Sequence, residues 1–222
     1  MLWSAVMKRM LVTLFAACAG LFLAAGSASA HPHVWVVTKS SLVYAPDGAL
    51  IGIRYTWAFD DMYSAFATQG LEQKKKGEFT REELQPLAQV NVESLKEYDF
   101  FSAARIDGKK AVFAEPKEYH LEFNPKDTVL TLHFLLPLKT PVKMKTLTLE
   151  TYDPAYFVDF QLAEKDAVAL VDAPKGCEVS VGKPQEMTKE LAQRLAEIPP
   201  GGQIPENSFG AQFANKLSVK CP

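Results

Sequence analysis

Cysteine is scarce, with three in 222 residues, and no two of them have CxxC spacing. That argues against a two-cysteine metal site. No GxSxG, HExxH, P-loop or GxGxxG occurs. Carboxylate pairs are present, but no spacing singles one out, so the chain is not expected to be an enzyme. There is no basic excess or basic tail: the formal charge is −2, which makes nucleic acid an unexpected partner. Beyond the first thirty residues no apolar run is long enough to span a bilayer.

Those first thirty residues differ from the rest. Lys8 and Arg9 are the only charges before residue 31, an apolar run covers Leu11 to Ala25, and Ala28-Ser29-Ala30 follows. A positive segment, a short apolar segment and a small-residue site form a secretory signal peptide over 1–30. A transmembrane anchor is the alternative, but the apolar stretch falls short of the roughly 20 residues a spanning helix needs. Phe15-Ala16-Ala17 is a poor lipobox for Cys18, and Met7 is an alternative start. Cleavage after Ala30 leaves a single periplasmic domain, 31–222, with no stable membrane insertion. Loss of Lys8 and Arg9 takes the charge from −2 to −4. Cys177 and Cys221 remain, and in an oxidising compartment the pair is expected to form a disulfide that ties the tail to the body.

From Val34 to Phe59 the pattern is a long β-hairpin turning at Pro46-Asp47-Gly48. Residues 60–70 read as a short helix capped by Asp60 and closed by Gly70. Thr80 and Glu83 form a capping box for a helix reaching about residue 98, with Pro86 inside it. After Phe100 β-patterning resumes: Asp107-Gly108 joins two short strands, Asn124–Asp127 turns a second hairpin, and further strands fall at about 144–153, 157–162 and 177–181. A short helix is expected over Thr188–Ala196. The class is α+β, an antiparallel sheet or sandwich with one main helical insertion (about 60–98) and a short C-terminal helix.

Several groups can carry chemistry. A cleaved terminus gives His31 a free α-amine beside its imidazole, and His33 a second imidazole; with reference pKa values of ~7.7–8.0 and ~6.5, all supply lone pairs near neutral pH. Nitrogen-rich sets suit copper, nickel and zinc. Pro32 lacks an N–H, which prevents a full square-planar amide chelate. Asp60 ends the second strand and is either a ligand or an N-cap; Asp153, before Pro154, is a turn residue or a ligand. In the second hairpin, pairing Phe123 with Thr128 places Glu118 opposite His133 and His120 opposite Thr131, a Glu-His-His face that is either a zinc set or a solvated surface. "EQKKKGEFTREE", 72–83, aligns with an EF-hand loop at Gly77, Phe79 and Glu83, but Lys74 and Lys76 stand where calcium needs oxygens. Calcium binding is not expected.

"HPHVWV" directly after the cleavage site, "YTWAFDDMYSAF", the EF-hand-like loop before a helix, "LKEYDFFSAARIDGKK" and "ETYDPAYFVDF" together resemble the bacterial periplasmic family of domain of unknown function 1007. The resemblance covers about residues 31 to 182. It implies the periplasmic component of an uncharacterised ABC-type transport system. Its neighbourhood with nickel/cobalt-type permeases implies transition-metal handling. It adds weight to His31, His33 and Asp60. The expectation is a periplasmic protein that binds zinc, nickel, cobalt or copper and exchanges it with an inner-membrane permease or ABC-type transporter. His31, His33 and Asp60 are the leading ligands, and Asp153 and His120 are outside candidates. The alternative is an interaction module that docks on the permease without metal.

Overall fold

Alternation at period two builds the first strand, β1 (Val34–Tyr44): Val34, Val36, Thr38, Ser40, Leu42 and Tyr44 point inward, while Trp35, Val37 and Lys39 are exposed. The computed structural model describes residues 32–198 and 209–222; the expected signal peptide and His31 lie outside them. β2 (Leu50–Phe59) returns antiparallel to β1, with Val36 opposite Phe59 and Tyr44 opposite Leu50. Gly48 supplies the turn's positive φ, +84°. β2 carries β6 (Val129–Val142), and β6 carries β5 (Lys117–Asn124). On its other side β1 pairs parallel with β8 (Val158–Leu162) and then β9 (Val168–Val171). The first sheet is therefore mixed, where an antiparallel one was expected.

A second sheet lies in the order β10 (Glu178–Val181), β11 (Asn215–Lys220), β7 (Thr146–Thr151), β3 (Ser102–Ile106), β4 (Lys109–Lys110). The two sheets enclose one core. Tyr55, Trp57, Leu132 and Phe134 come from the first sheet; Ala104, Leu147, Leu149 and Leu217 come from the second. Tyr55 Oη reaches Ser102 Oγ at 2.8 Å and Thr151 Oγ1 at 3.4 Å, tying sheet to sheet with a buried polar link. Cys177 and Cys221 are joined as a disulfide, and Cys221 N–H donates to Lys145 O at 2.8 Å, holding the C-terminus to the second sheet. Among the described residues no helix is long and apolar enough to cross a membrane.

Helix α1 (Asp61–Thr68) begins at Asp60 as N-cap. Helix α2 (Arg81–Leu95) starts at the Thr80–Glu83 capping box and contains Pro86, which forgoes one backbone bond near the start. Leu84, Ala88, Val92 and Leu95 form its buried stripe, each large side chain contributing about 1.5–3 kcal/mol by burial. The helix ends at Leu95, short of the expected residue 98. A 3-10 segment, Lys96–Phe101, follows, with Asp99, Phe100 and Phe101 at φ +49°, +55° and +47°. Left-handed backbone costs about 1–2 kcal/mol per residue. Here it reverses the chain so that Phe100 and Phe101 are both buried. Ser102 Oγ donates to Phe100 O at 2.9 Å and Tyr152 N–H to Phe101 O at 3.1 Å, which fixes the reversal. The short helix α3 (Lys189–Ala196) is capped by Thr188. With Phe209 and Phe213, Leu195 packs on Tyr156 in a small second cluster.

Candidate metal centre

The β5–β6 register decides which side chains meet. His120 pairs with His133, Leu121 with Leu132, and Glu122 with Thr131. Leu121, Leu130 and Leu132 face the core, so His120, Glu122 and His133 share the opposite face. β2 places Thr56 beside His133 on that face. The two imidazoles stack at 4.7 Å with their planes 9° apart. Glu122 lies against both: Oε1 is 3.4 Å from His120 Nε2, and Oε2 is 3.5 Å from His133 Nε2. The ligand atoms all lie within 4.8 Å of one another, and this is the one such His/Cys/Asp/Glu trio among the described residues. Ligands about 2.0–2.1 Å from a tetrahedral ion stand roughly 3.3–3.4 Å apart, so both His–Glu separations fit a single ion. Joint ligation requires the near-parallel rings to tilt until their lone pairs converge.

Second partners prepare the donors. His133 Nδ1 is 3.2 Å from Thr56 Oγ1. When Nδ1–H donates there, Nε2 keeps a lone pair toward Glu122, an arrangement that a cation between them satisfies. Nε2 of His133 is buried and has no hydrogen-bond partner among the described residues. Burial pushes the His133 pKa down, assisted by the charges of His120 and Arg81 and opposed by Glu122, which favours the neutral, ligating imidazole. The Arg81 guanidinium, from the first residue of α2, hydrogen-bonds Glu122 and holds its carboxyl below the usual range. Both groups are half exposed, so swinging Arg81 to water costs about 0–1 kcal/mol.

The hairpin differs from the expected pairing. Phe123 faces Leu130 rather than Thr128, and His133 faces His120 rather than Glu118. Glu118 sits in a bulge at φ +52° and bonds Arg54 Nη2 at 2.7 Å, outside the cluster. Glu122 takes the place assigned to it. The i, i+2 spacing of His120 and Glu122 was the available signal for that residue; Thr56 and Arg81 had none, because they arrive from other elements.

The N-terminal candidates gather differently. His31 lies outside the described residues. His33 N–H donates to Phe157 O at 2.8 Å, and its ring lies 4.6 Å from the Phe157 ring. Asp60 accepts Tyr63 N–H on Oδ1 and Trp35 N–H on Oδ2, both at 2.8 Å. Asp153 accepts Ala155 N–H on Oδ1, and Phe157 and Val158 N–H on Oδ2. Both carboxylates thus organise backbone around the start of β1. In the EF-hand-like loop, Glu83 accepts Lys74 N–H at 2.9 Å and Thr80 N–H at 2.7 Å. Both its oxygens turn to backbone amides, which hold its pKa low.

The model of a family described as "Protein of unknown function (DUF1007)" matches residues 16–221. An uncharacterized protein of Haemophilus influenzae is similar to this chain, 24% identical over 204 residues that cover 91% of this chain and 96% of the relative.

Proposed function

The chain belongs to that family, DUF1007, and from this premise we propose that it is a transition-metal-binding protein of the bacterial periplasm that exchanges its ion with an inner-membrane permease or ABC-type transporter. The observation that carries the proposal is the His120–Glu122–His133 cluster. Two imidazoles and a carboxylate, with water in the fourth position, suit zinc and also accept nickel, cobalt or copper. The cluster is partly exposed on a sheet face, its carboxylate more than its imidazoles, which favours exchange over permanent storage. The mechanism is binding and release: Arg81 leaves Glu122 as the ion enters and returns as it departs. A disulfide suits an oxidising compartment. His31 and His33 form a second ligand pair in this reading once cleavage frees the amine.

Competition for zinc against a chromophoric chelator tests the reading, with His120→Ala, Glu122→Ala and His133→Ala in one set and His31→Ala with His33→Ala in another. The first set is expected to weaken binding at least 100-fold, the second less. Unchanged affinity in the first set removes the sheet-face site. No binding by the parent chain leaves the interaction module, which exposed apolar side chains favour: Trp35 and Val37 on the outer face of β1, Met62 and Phe66 on α1.

A further inference from the structure

A depression of about 400 Å³ borders the His120–Glu122–His133 cluster, and its lining is entirely polar: Arg81, Glu82, Gln85 and His120. α2 packs against β5, the edge strand of the first sheet. The Arg81–Glu122 hydrogen bond fixes the first turn of the helix beside the two cluster residues that β5 carries. The three charged groups of that turn are used differently. Arg81 is committed to Glu122. Glu83 is committed to the Thr80 and Lys74 amides. Glu82 is exposed and has no hydrogen-bond or ion-pair partner among the described residues. An acid near a helix N-terminus is by itself ordinary. What sets Glu82 apart is that it shares the depression with His120, whose Nε2 already faces a carboxylate.

A cation approaching this face meets its donors in order. Glu122 is held by Arg81, and His133 Nε2 is buried. His120 and Glu82 line the open space. Once the ion draws Glu122 away from Arg81, a divalent charge and a guanidinium lie together with one carboxylate to balance them. A second carboxylate lowers that repulsion. Zinc, nickel and cobalt accept carboxylate oxygen beside imidazole nitrogen. We infer that Glu82 supplies the fourth ligand in place of water, completing a His-His-Glu-Glu set drawn from β5, β6 and α2. This rests on the metal-binding reading and makes it more specific: the site closes by a side-chain swing from the helix and opens by the reverse. Two carboxylates and no sulfur suit a divalent ion rather than copper(I).

Cobalt(II) is the probe, because its absorption reports the ligands it holds. The purified chain is expected to bind it in a one-to-one ratio. Glu82→Gln is expected to weaken binding about ten-fold, as water replaces one of the ligands, with the thermal transition of the metal-free chain unchanged. Glu93→Gln removes another exposed acid, about three turns further along α2, and is expected to bind as wild type does. Glu82→Cys is expected to give a near-ultraviolet thiolate-to-cobalt charge-transfer band, which arises only when the side chain at that position touches the ion. Wild-type affinity in Glu82→Gln overturns the proposal, and so does absence of the band in Glu82→Cys. Equal weakening in Glu82→Gln and Glu93→Gln overturns it too, by reducing Glu82 to general charge. In each of these outcomes, loss of cobalt in His120→Ala leaves the metal-binding reading standing without Glu82. A parent chain that binds no cobalt overturns both.

Discussion

Thr56→Val separates the preparation of a ligand from the ligand itself. The replacement keeps the side chain's shape on β2 and removes the oxygen 3.2 Å from His133 Nδ1. In the tautomer that leaves Nε2 free to ligate, His133 then loses the acceptor of its Nδ1–H. A part-buried hydrogen bond contributes about 0.5–1.5 kcal/mol net, which is roughly 2- to 12-fold in affinity. Outer partners of metal-ligating histidines typically account for about 10–100-fold. The ranges meet near ten-fold, and that is the expected weakening of zinc binding. The assay is chelator competition at fixed ionic strength, with thermal unfolding of the metal-free protein alongside. Val suits a strand, so the metal-free transition should move by less than about 3 °C. Wild-type affinity in Thr56→Val, where His133→Ala abolishes binding, refutes the tautomer argument. A large fall in the metal-free transition refutes it differently, by making the effect one of folding.

Three further outcomes are expected. Gly210→Ala places a Cβ 1.7 Å from Asp153 O; backbone meets it, so denaturant unfolding should show a loss of about 3 kcal/mol, and a loss under 1 kcal/mol would mean that the loop yields. Cys177→Ser with Cys221→Ser opens a link across 44 residues and should cost about 4 kcal/mol on the loop-entropy scale, read as a lower denaturation midpoint. Glu83 has its folded pKa lowered by the Thr80 and Lys74 amides, so its contribution is present above the unfolded carboxyl range and lost as pH falls through the folded value. The melting-temperature gap between wild type and Glu83→Gln at about pH 6 should therefore close on acidification; a gap that widens contradicts the assignment.

Much of the fold was legible because local chemistry specified it. The Pro46–Gly48 turn, the Asp60 cap, the Thr80–Glu83 box and the Asp107-Gly108 turn each satisfy backbone groups within a few residues. The Cys177–Cys221 pairing followed from there being only two cysteines past residue 30. What was not legible depends on distant contacts. Nothing in "FVDFQL" says that it runs parallel to β1. The left-handed run at Asp99–Phe101 follows from where the core needs two phenyl rings, not from propensity. The His120–Glu122–His133 cluster was half legible. His120 and His133 were brought together by the hairpin. Their carboxylate was misassigned because the register depends on a bulge at Glu118 and a positive φ at Thr128, which alternation alone does not reveal.

The mixed pairing of β1 also governs when the molecule can fold. Residues 34–38 find their parallel partners only at 158–162, and residues 40–43 only at 168–171. The second sheet, in turn, places β11 from the extreme C-terminus beside β7. These loops span most of the chain, and closing them precedes the energetic return from the core. A ribosome-bound or partly emerged chain can make the β1–β2 hairpin and α2, but not the sandwich. Pairing this non-local is expected to make folding of the sandwich slow and to delay it until β8, β9 and β11 are all available.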